Sequence, residues 1–140
     1  MDSKKIHILL ADDEESVHAT LGEFLVDCGH YVSGAWSEEE VVNLVNAADF
    51  DVVILGTEML EAYNLEIVGW IRERSPGTAV VMTSRHGDTN TVIGALRAGA
   101  SDFLWKPVSL VALKNTLDGV SRGELPRSPG ASQEGTASAS

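Results

Sequence analysis

The feature that most constrains the fold is a strict alternation of short apolar runs with longer segments of helical period. The runs are rich in Val, Ile and Leu and show little polar alternation, which is typical of parallel strands covered on both faces. Five runs are predicted as strands: Ile6–Ala11, Tyr31–Ala35, Asp51–Leu55, Ala79–Thr83 and Asp102–Leu104. Strands that alternate with helices indicate an α/β fold, a doubly wound parallel sheet.

Five further segments are predicted as helices because apolar residues recur at helical spacing between recognisable end signals. Ser37 begins a capping-box sequence, Ser109 is an N-cap residue, and Gly29 and Gly99 are stop signals. The predicted helices are Glu15–Cys28, Ser37–Ala47, Leu65–Arg74, Thr89–Ala98 and Ser109–Val120. One domain over residues 1–120 accounts for all ten elements.

The last twenty residues differ from the rest in composition. Residues 121–140 are rich in Ser, Gly, Ala and Pro and have no apolar periodicity, so we expect a flexible tail or linker. Their two basic and two acidic residues cancel, and the net charge of −11 therefore belongs to residues 1–120. That acidity argues against non-specific binding to nucleic acid and against docking on anionic membranes.

The chain has no apolar run long enough to span a bilayer, and its first residues do not have the organisation of a signal peptide. Cys28 is the single cysteine, which excludes an internal disulfide and fits a reducing compartment. A cytoplasmic location is therefore expected.

Polar residues follow the predicted strands directly. In doubly wound sheets the ligand site lies beyond the carboxyl ends of the strands, near the point where the strand order reverses. Asp12 and Asp13 follow the first strand, residues 56–60 the third, Ser84 the fourth and Lys106 the fifth. We expect these residues to share one pocket.

The sequence ILLADDE at residues 8–14, together with the segment from Ser84 to Lys106-Pro107, resembles the response-regulator receiver domains of two-component phosphorelay signalling. The resemblance covers residues 5–120. It implies a flavodoxin-like fold, a signalling rather than an enzymatic role, and a cis peptide bond before Pro107.

The resemblance also implies roles for individual residues. Asp12 and Asp13 would hold Mg²⁺, while Lys106 and Ser84 would contact a phosphoryl group. Phe103 matches an aromatic residue whose orientation reports activation in the family. From the residues alone, an Asp-Asp pair is more often a solvated turn, and Phe103 is as readily a core residue.

The third strand departs from the family pattern. Gly56 occupies the position of the phosphoryl-accepting aspartate, and a glycine cannot form an acyl phosphate. Leu60 stands in place of the loop proline and Asn64 in place of a glycine, although asparagine tolerates the same turn. Asp51 lies roughly 16 Å away along the strand at ~3.3 Å per residue, so it cannot substitute.

Two nearer residues leave alternatives open. Thr57 would need an activating base before it could accept a phosphoryl group. The carboxylate of Glu58 could enter the space that Gly56 vacates, where it would mimic a charge or ligate a metal ion. The alternative is a solvated loop glutamate. With the acceptor carboxylate missing, Mg²⁺ binding through Asp12, Asp13 and Glu58 is expected to be weak.

Three functions remain under consideration. The first is a pseudo-receiver that regulates through protein contacts without phosphorylation. The second is a phosphotransfer-competent receiver, in which either the alignment of the third strand is wrong or Gly56 is a local or engineered replacement of an active aspartate. The third is a flavin-binding protein, which the acidic residues 12–15 disfavour because they would repel a phosphate.

Expected partners are a histidine kinase, an effector protein or domain, or a second copy of the chain. The resemblance implies contact through the fourth helix, fifth strand and fifth helix, and Trp105 is the candidate anchor because tryptophan is enriched at binding hot spots. Trp105 could instead pack within its own domain, and Trp70 on the third helix is a rival anchor.

Overall fold

The computed structural model describes residues 5–61, 64–86 and 88–123 of the chain. Five parallel strands form one sheet in the order β2-β1-β3-β4-β5. The strands are β1 (His7–Ala11), β2 (Tyr31–Ala35), β3 (Val52–Gly56), β4 (Ala79–Ser84) and β5 (Asp102–Trp105). The helices are α1 (Glu15–Asp27), α2 (Glu38–Ala47), α3 (Glu66–Arg74), α4 (Thr89–Ala98) and α5 (Leu110–Ser121). The predicted doubly wound α/β fold is confirmed.

The apolar side chains divide between the two faces of the sheet. On β1, Leu9 packs into one buried cluster with residues of α2, α3 and α4. Its neighbours Ile8 and Leu10 pack into a second cluster with α1 and α5. Burial on both faces explains why the strand sequences lack polar alternation, since neither face of a central strand meets water.

The end signals act as the sequence predicts. Ser37 Oγ accepts a hydrogen bond from the backbone N–H of Glu40, and Ser109 Oγ accepts one from Ala112. Gly29 and Gly99 both have positive φ, at 95° and 119°, the left-handed backbone that ends a helix. The peptide bond before Pro107 is cis, as the family resemblance implies.

Differences from the predicted bounds are small. Where a predicted helix differs from the observed one, it begins one residue earlier, at the capping residue, or its last residue is shifted by one position. Such differences are the usual uncertainty at frayed helix ends. β3 begins at Val52 and extends to Gly56, and β5 extends to Trp105. Of the predicted tail, Ser121 is the last residue of α5, and residues 124–140 lie outside the described part of the chain.

The register of the sheet brings the predicted site residues to one edge. Ala11 pairs with Leu55, Gly56 with Thr83, and Ser84 with Trp105. The residues that follow these strands therefore meet beyond the carboxyl ends of β1, β3, β4 and β5. Among the described residues, no helix is both long and apolar enough to cross a membrane.

His30 links folding to pH. Its Nδ1 accepts a hydrogen bond from the backbone N–H of Ile6 at 3.3 Å. Burial lowers the pKa of His30 below 6.5, and the nearby Lys114 adds to this effect while Asp118 opposes it. The unfolded chain therefore binds a proton at His30 more readily than the folded chain does. The contribution of neutral His30 to the free energy of unfolding is fully present above pH 6.5 and is lost as the pH falls through the pKa of His30 in the folded state.

We expect the free energy of unfolding to decrease below pH 6.5, and the decrease should be smaller in His30→Asn, which can accept the same bond without titrating. Urea unfolding of both proteins between pH 5 and 8 measures the difference. Equal pH profiles would contradict this assignment.

Candidate functional site

The centre of the site is the ammonium group of Lys106, which follows β5. Its side chain is 5% exposed and lies among three carboxylates. Nζ is 2.8 Å from Asp12 Oδ2, 2.8 Å from Glu58 Oε1 and 3.3 Å from Glu14 Oε1. A buried ammonium requires such partners, because desolvation without them would favour the neutral amine.

Asp12 is almost completely buried and uses its two carboxylate oxygens differently. Oδ1 accepts a hydrogen bond from the backbone N–H of Glu14 at 2.9 Å. Oδ2 has no hydrogen bond of good geometry, and its contact with Lys106 is therefore best described as an ion pair. The opposite charges are nevertheless close enough to stabilise each other strongly in this buried place.

Gly56 lies directly beside this carboxylate. A Cβ atom added to Gly56 would overlap Asp12 Oδ2 and lie 3.0 Å from its Cγ. The space that a side chain at position 56 would need is thus occupied by Asp12. A larger residue at position 56 requires Asp12 to move, and Asp12 is held by its ion pair with Lys106.

Glu58 lies on a single 3-10 turn, Thr57–Met59, that follows β3. Its Oε2 accepts hydrogen bonds from Ser84 Oγ at 3.0 Å and from the backbone N–H of Arg85 at 2.8 Å. Its Oε1 accepts one from Lys106. The carboxylate is therefore turned toward the ends of β4 and β5 rather than into the space beside Gly56.

Ser84 is fully buried at the end of β4. Its hydroxyl accepts a hydrogen bond from Thr57 Oγ1 at 2.7 Å and contacts both Glu58 and the backbone carbonyl of His86. The latter two compete for the single hydroxyl proton, and a carboxylate is the stronger acceptor. Arg85 follows Ser84, and its guanidinium forms an ion pair with Glu14.

These contacts alter the ionisation of the site. Burial alone would raise the pKa of Glu58, but hydrogen bonds from Lys106, Arg85 and Ser84 lower that pKa to about 2. Burial alone would lower the pKa of Lys106, yet its contacts with Asp12 and Glu58 raise the pKa above the ordinary value. Mainly through its bond to Arg85, the pKa of Glu14 is lowered. The groups are charged at neutral pH.

Comparison with known proteins shows to which family a chain with this fold and pocket belongs. A family model described as the response regulator receiver domain matches residues 8–118. The chain belongs to the response regulator receiver family. Its fold also resembles a receiver domain protein from Clostridium thermocellum, with a TM-score of 0.76 and 28% identity over 84% of this chain and 95% of the other.

Curated relatives include larger regulators. The transcriptional regulatory protein GlrR of Escherichia coli is 31% identical over 118 residues, which are 84% of this chain and 27% of that protein. The response regulator protein PilR of Pseudomonas aeruginosa is 34% identical over 110 residues, 76% of this chain and 24% of that protein. The chain thus spans about a quarter of the length of these relatives.

The family implies Mg²⁺ at the acidic residues of this receiver domain. Oxygens of Asp12, Asp13 and Glu14 lie within 4.8 Å of one another, and carboxylate oxygens are the ligands that Mg²⁺ prefers. These residues would hold the ion, which would supply positive charge beside an anionic ligand. Glu58, named as a ligand from the sequence, is instead committed to Lys106, Ser84 and Arg85.

The structure brings together Asp12, Gly56, Ser84, Lys106 and Glu58, all of which the sequence assigned to one pocket. Asp13 is exposed beside them. Phe103 is partly buried against the core, and its ring contacts that of Trp105 with a centroid distance of 5.1 Å.

Sequence reasoning did not assign Glu14 and Arg85 to the pocket. Both residues directly follow predicted site residues, and their opposite charges are the signal that could have identified them.

We expect the side-chain carboxyl of Glu58 to titrate near pH 2 in the folded protein. A folded-state pKa below the ordinary value contributes stability above pH 4.5 that is lost as the pH falls through the range from 4.5 to about 2. Carbon-detected NMR of the Glu58 carboxyl measures this midpoint. Lys106→Met should raise it, and an unshifted midpoint in the wild type would contradict the geometry.

Proposed function

We propose that this receiver domain transmits its signal through protein contacts without being phosphorylated. One observation carries the proposal: Gly56 provides no carboxylate at the end of β3, and the carboxylate of Asp12 fills the adjacent space. An incoming phosphoryl group therefore has no acceptor carboxylate at position 56, and the space that such a side chain would need is occupied by Asp12. The domain itself has no catalytic role in this proposal.

The charges of the pocket support the same proposal. In a phosphorylation reaction, bound cations neutralise the group being transferred. Here the ammonium of Lys106 is already engaged by Asp12, Glu58 and Glu14, and the guanidinium of Arg85 is engaged by Glu14. A phosphoryl group would have to compete with the protein's own carboxylates for these cations.

The alternative is a receiver that is competent for phosphotransfer at another residue. Thr57 is fully buried, and its hydroxyl donates to Ser84. The carboxylate of Glu58 accepts hydrogen bonds from Ser84, Arg85 and Lys106, which stabilise its charge and reduce its nucleophilicity. Neither residue has the arrangement of an activated nucleophile. A flavin-binding role is disfavoured, since Asp12, Asp13 and Glu14 stand where a phosphate would have to bind.

We expect no gain in mass by a phosphoryl group when the protein is incubated with acetyl phosphate and Mg²⁺. The physical reason is the missing acceptor carboxylate at Gly56. Intact-mass measurement tests this, and a receiver that carries an acceptor aspartate serves as the control for donor reactivity. A stable adduct mapped to Thr57, Glu58 or Asp12 would refute phosphorylation-independent action.

Binding of Mg²⁺ by the wild type should be weak, because Lys106 already neutralises Asp12 and because Mg²⁺ gives up its waters reluctantly. Replacing the ammonium, as in Lys106→Met, should tighten binding at Asp12, Asp13 and Glu14. Isothermal calorimetry compares the two proteins. Equal affinities would show that the ammonium does not compete with the metal ion.

The partner surface proposed for this domain is formed by α4, β5 and α5. These elements carry several large exposed apolar side chains, Ile93, Leu96, Trp105, Leu110 and Val111, of which Leu110 lies beside α1. Trp105 is 49% exposed, which favours a role as anchor over burial within its own domain. Trp70 is partly buried against the core and lies 5.8 Å from the guanidinium of Arg74, so it is the weaker candidate.

The partner in this proposal is a histidine kinase, an effector, or a second copy of the chain, and the contact is made in the cytoplasm. The relatives named as regulators of transcription make an effector domain a reasonable partner, although that activity belongs to much longer proteins. The acidic net charge of −11 disfavours direct contact with nucleic acid or anionic membranes.

We expect Trp105→Ala to weaken association by about 2 kcal/mol or more, as is usual for a hot-spot tryptophan. Sedimentation at several concentrations, without any phosphodonor, measures self-association, and a pull-down with the cognate kinase or effector measures binding to a partner. Val111→Ala, which shortens an exposed apolar side chain of α5, should have a smaller effect. The proposal fails if the wild type and Trp105→Ala are both monomers and neither binds a partner.

A further inference from the structure

Three hydrogen-bond donors of different chemical types at the ends of β4 and β5 converge on the carboxylate of Glu58, and the hydroxyl of the neighbouring Thr57 lies 3.3 Å from Oε2. They are the hydroxyl of Ser84 at 3.0 Å, the backbone N–H of Arg85 at 2.8 Å and the ammonium of Lys106 at 2.8 Å. A hydroxyl, a backbone amide and a cation directed at one point form an environment suited to an oxyanion. We call these three donors the cradle.

The cradle is built by strands other than the one that supplies its occupant. Ser84 and Arg85 stand at the end of β4, and Lys106 follows β5, whereas Glu58 comes from the turn after β3. The register that pairs Gly56 with Thr83 and Ser84 with Trp105 sets these ends side by side. The sheet therefore brings the three donors together, and the carboxylate of Glu58 binds between them.

The burial of Glu58 is unusual for an exposed-loop glutamate. Its side chain is 15% exposed, and glutamate is rarely so buried without charged partners. Every oxygen of the carboxylate has a donor, with Oε1 bound by Lys106 and Oε2 by Ser84 and Arg85. The carboxylate of Glu58 thus occupies the cradle in the way that a separate bound anion would.

The charges of the groups at the cradle indicate which anion could replace the carboxylate of Glu58. The groups joined by ion pairs at the cradle are the cations Lys106 and Arg85 and the anions Asp12, Glu14 and Glu58, whose charges sum to minus one. Without Glu58 the remaining four cancel. A monoanion restores the original balance, whereas a dianion would exceed it by one charge.

We propose that Glu58 is the built-in ligand of an anion-binding cradle formed by Ser84, Arg85 and Lys106, and that the cradle binds a small carboxylate when the Glu58 side chain is removed. The occupied cradle fixes Ser84, the last residue of β4, and Arg85, which directly follows it on the way to α4. This inference deepens the proposed function and rests on it for its consequence: α4, part of the partner surface, is held in one state without phosphorylation.

The variant Glu58→Ala tests the cradle directly. Alanine retains Cβ, and the atoms removed are one methylene and the carboxylate, which acetate replaces closely. We expect the amide signal of Arg85 in a nitrogen–proton NMR spectrum to shift in Glu58→Ala. Added acetate should return it toward the wild-type position along a saturable curve with a dissociation constant in the millimolar range or weaker. The wild type should show no saturable response, because its cradle is full.

Two controls separate binding from general effects. Acetamide has nearly the same shape as acetate without the charge and should not restore the signal. Glu61→Ala removes an exposed glutamate from the same loop with the same change in net charge, and its Arg85 signal should neither shift nor respond to acetate. If Glu58→Ala is too unstable for NMR, acetate should raise its Tm more than acetamide does, since a ligand that binds the folded state stabilises it.

The inference is overturned if the Arg85 signal is unchanged in Glu58→Ala, or if acetate acts no differently on Glu58→Ala than on Glu61→Ala. A loss of stability that acetate does not reverse would mean that Glu58 has only a structural role. These outcomes are independent of the proposed function, which fails separately on a phosphoryl adduct or on absent partner binding.

Discussion

The ion pair between Lys106 and Asp12 is the interaction on which the rest of the pocket depends. Both side chains are almost fully buried, so neither charge has water to replace its partner. Removing one member of a buried pair costs about 3–5 kcal/mol in typical cases, because the other charge is left uncompensated. The pair fixes the carboxylate of Asp12 beside Gly56 and the ammonium of Lys106 beside Glu58. It therefore determines both how the space beside Gly56 is filled and where the carboxylate of Glu58 binds.

The distribution of charge along the chain explains why so few cations neutralise the carboxylates of the pocket. Residues 6–71 contain fourteen acidic residues and no lysine or arginine. The acidic residues after β1 and β3 must therefore be neutralised by cations from the later strands, and in the described part of the pocket these are Lys106 and Arg85. The parallel sheet makes this exchange possible, since it brings the ends of distant strands together.

Much of the fold could be predicted from the sequence because the signals are local and repeated. Apolar runs gave the strands, and residues such as Ser37 and Gly99 marked the helix ends. Most members of the pocket were predictable for the same reason, since they end or directly follow a strand, whereas Glu14 and Arg85 were not assigned to it. The direction of the Glu58 side chain was not predictable, because it depends on the donors at Arg85 and Lys106, which become its neighbours only when β3, β4 and β5 pair.

The coupling within the pocket also means that the loss of an acceptor at Gly56 is not a change at one position alone. An aspartate there would compete with Asp12 for the same space, and Asp12 could leave only by weakening its pair with Lys106. Lys106 would then be shared among different carboxylates, and Glu58 would lose part of what holds it in the cradle. Restoring a phosphoryl acceptor at position 56 therefore requires Asp12 and Glu58 to move as well. The carboxylates of Asp12, Glu14 and Glu58 already share the ammonium group of Lys106.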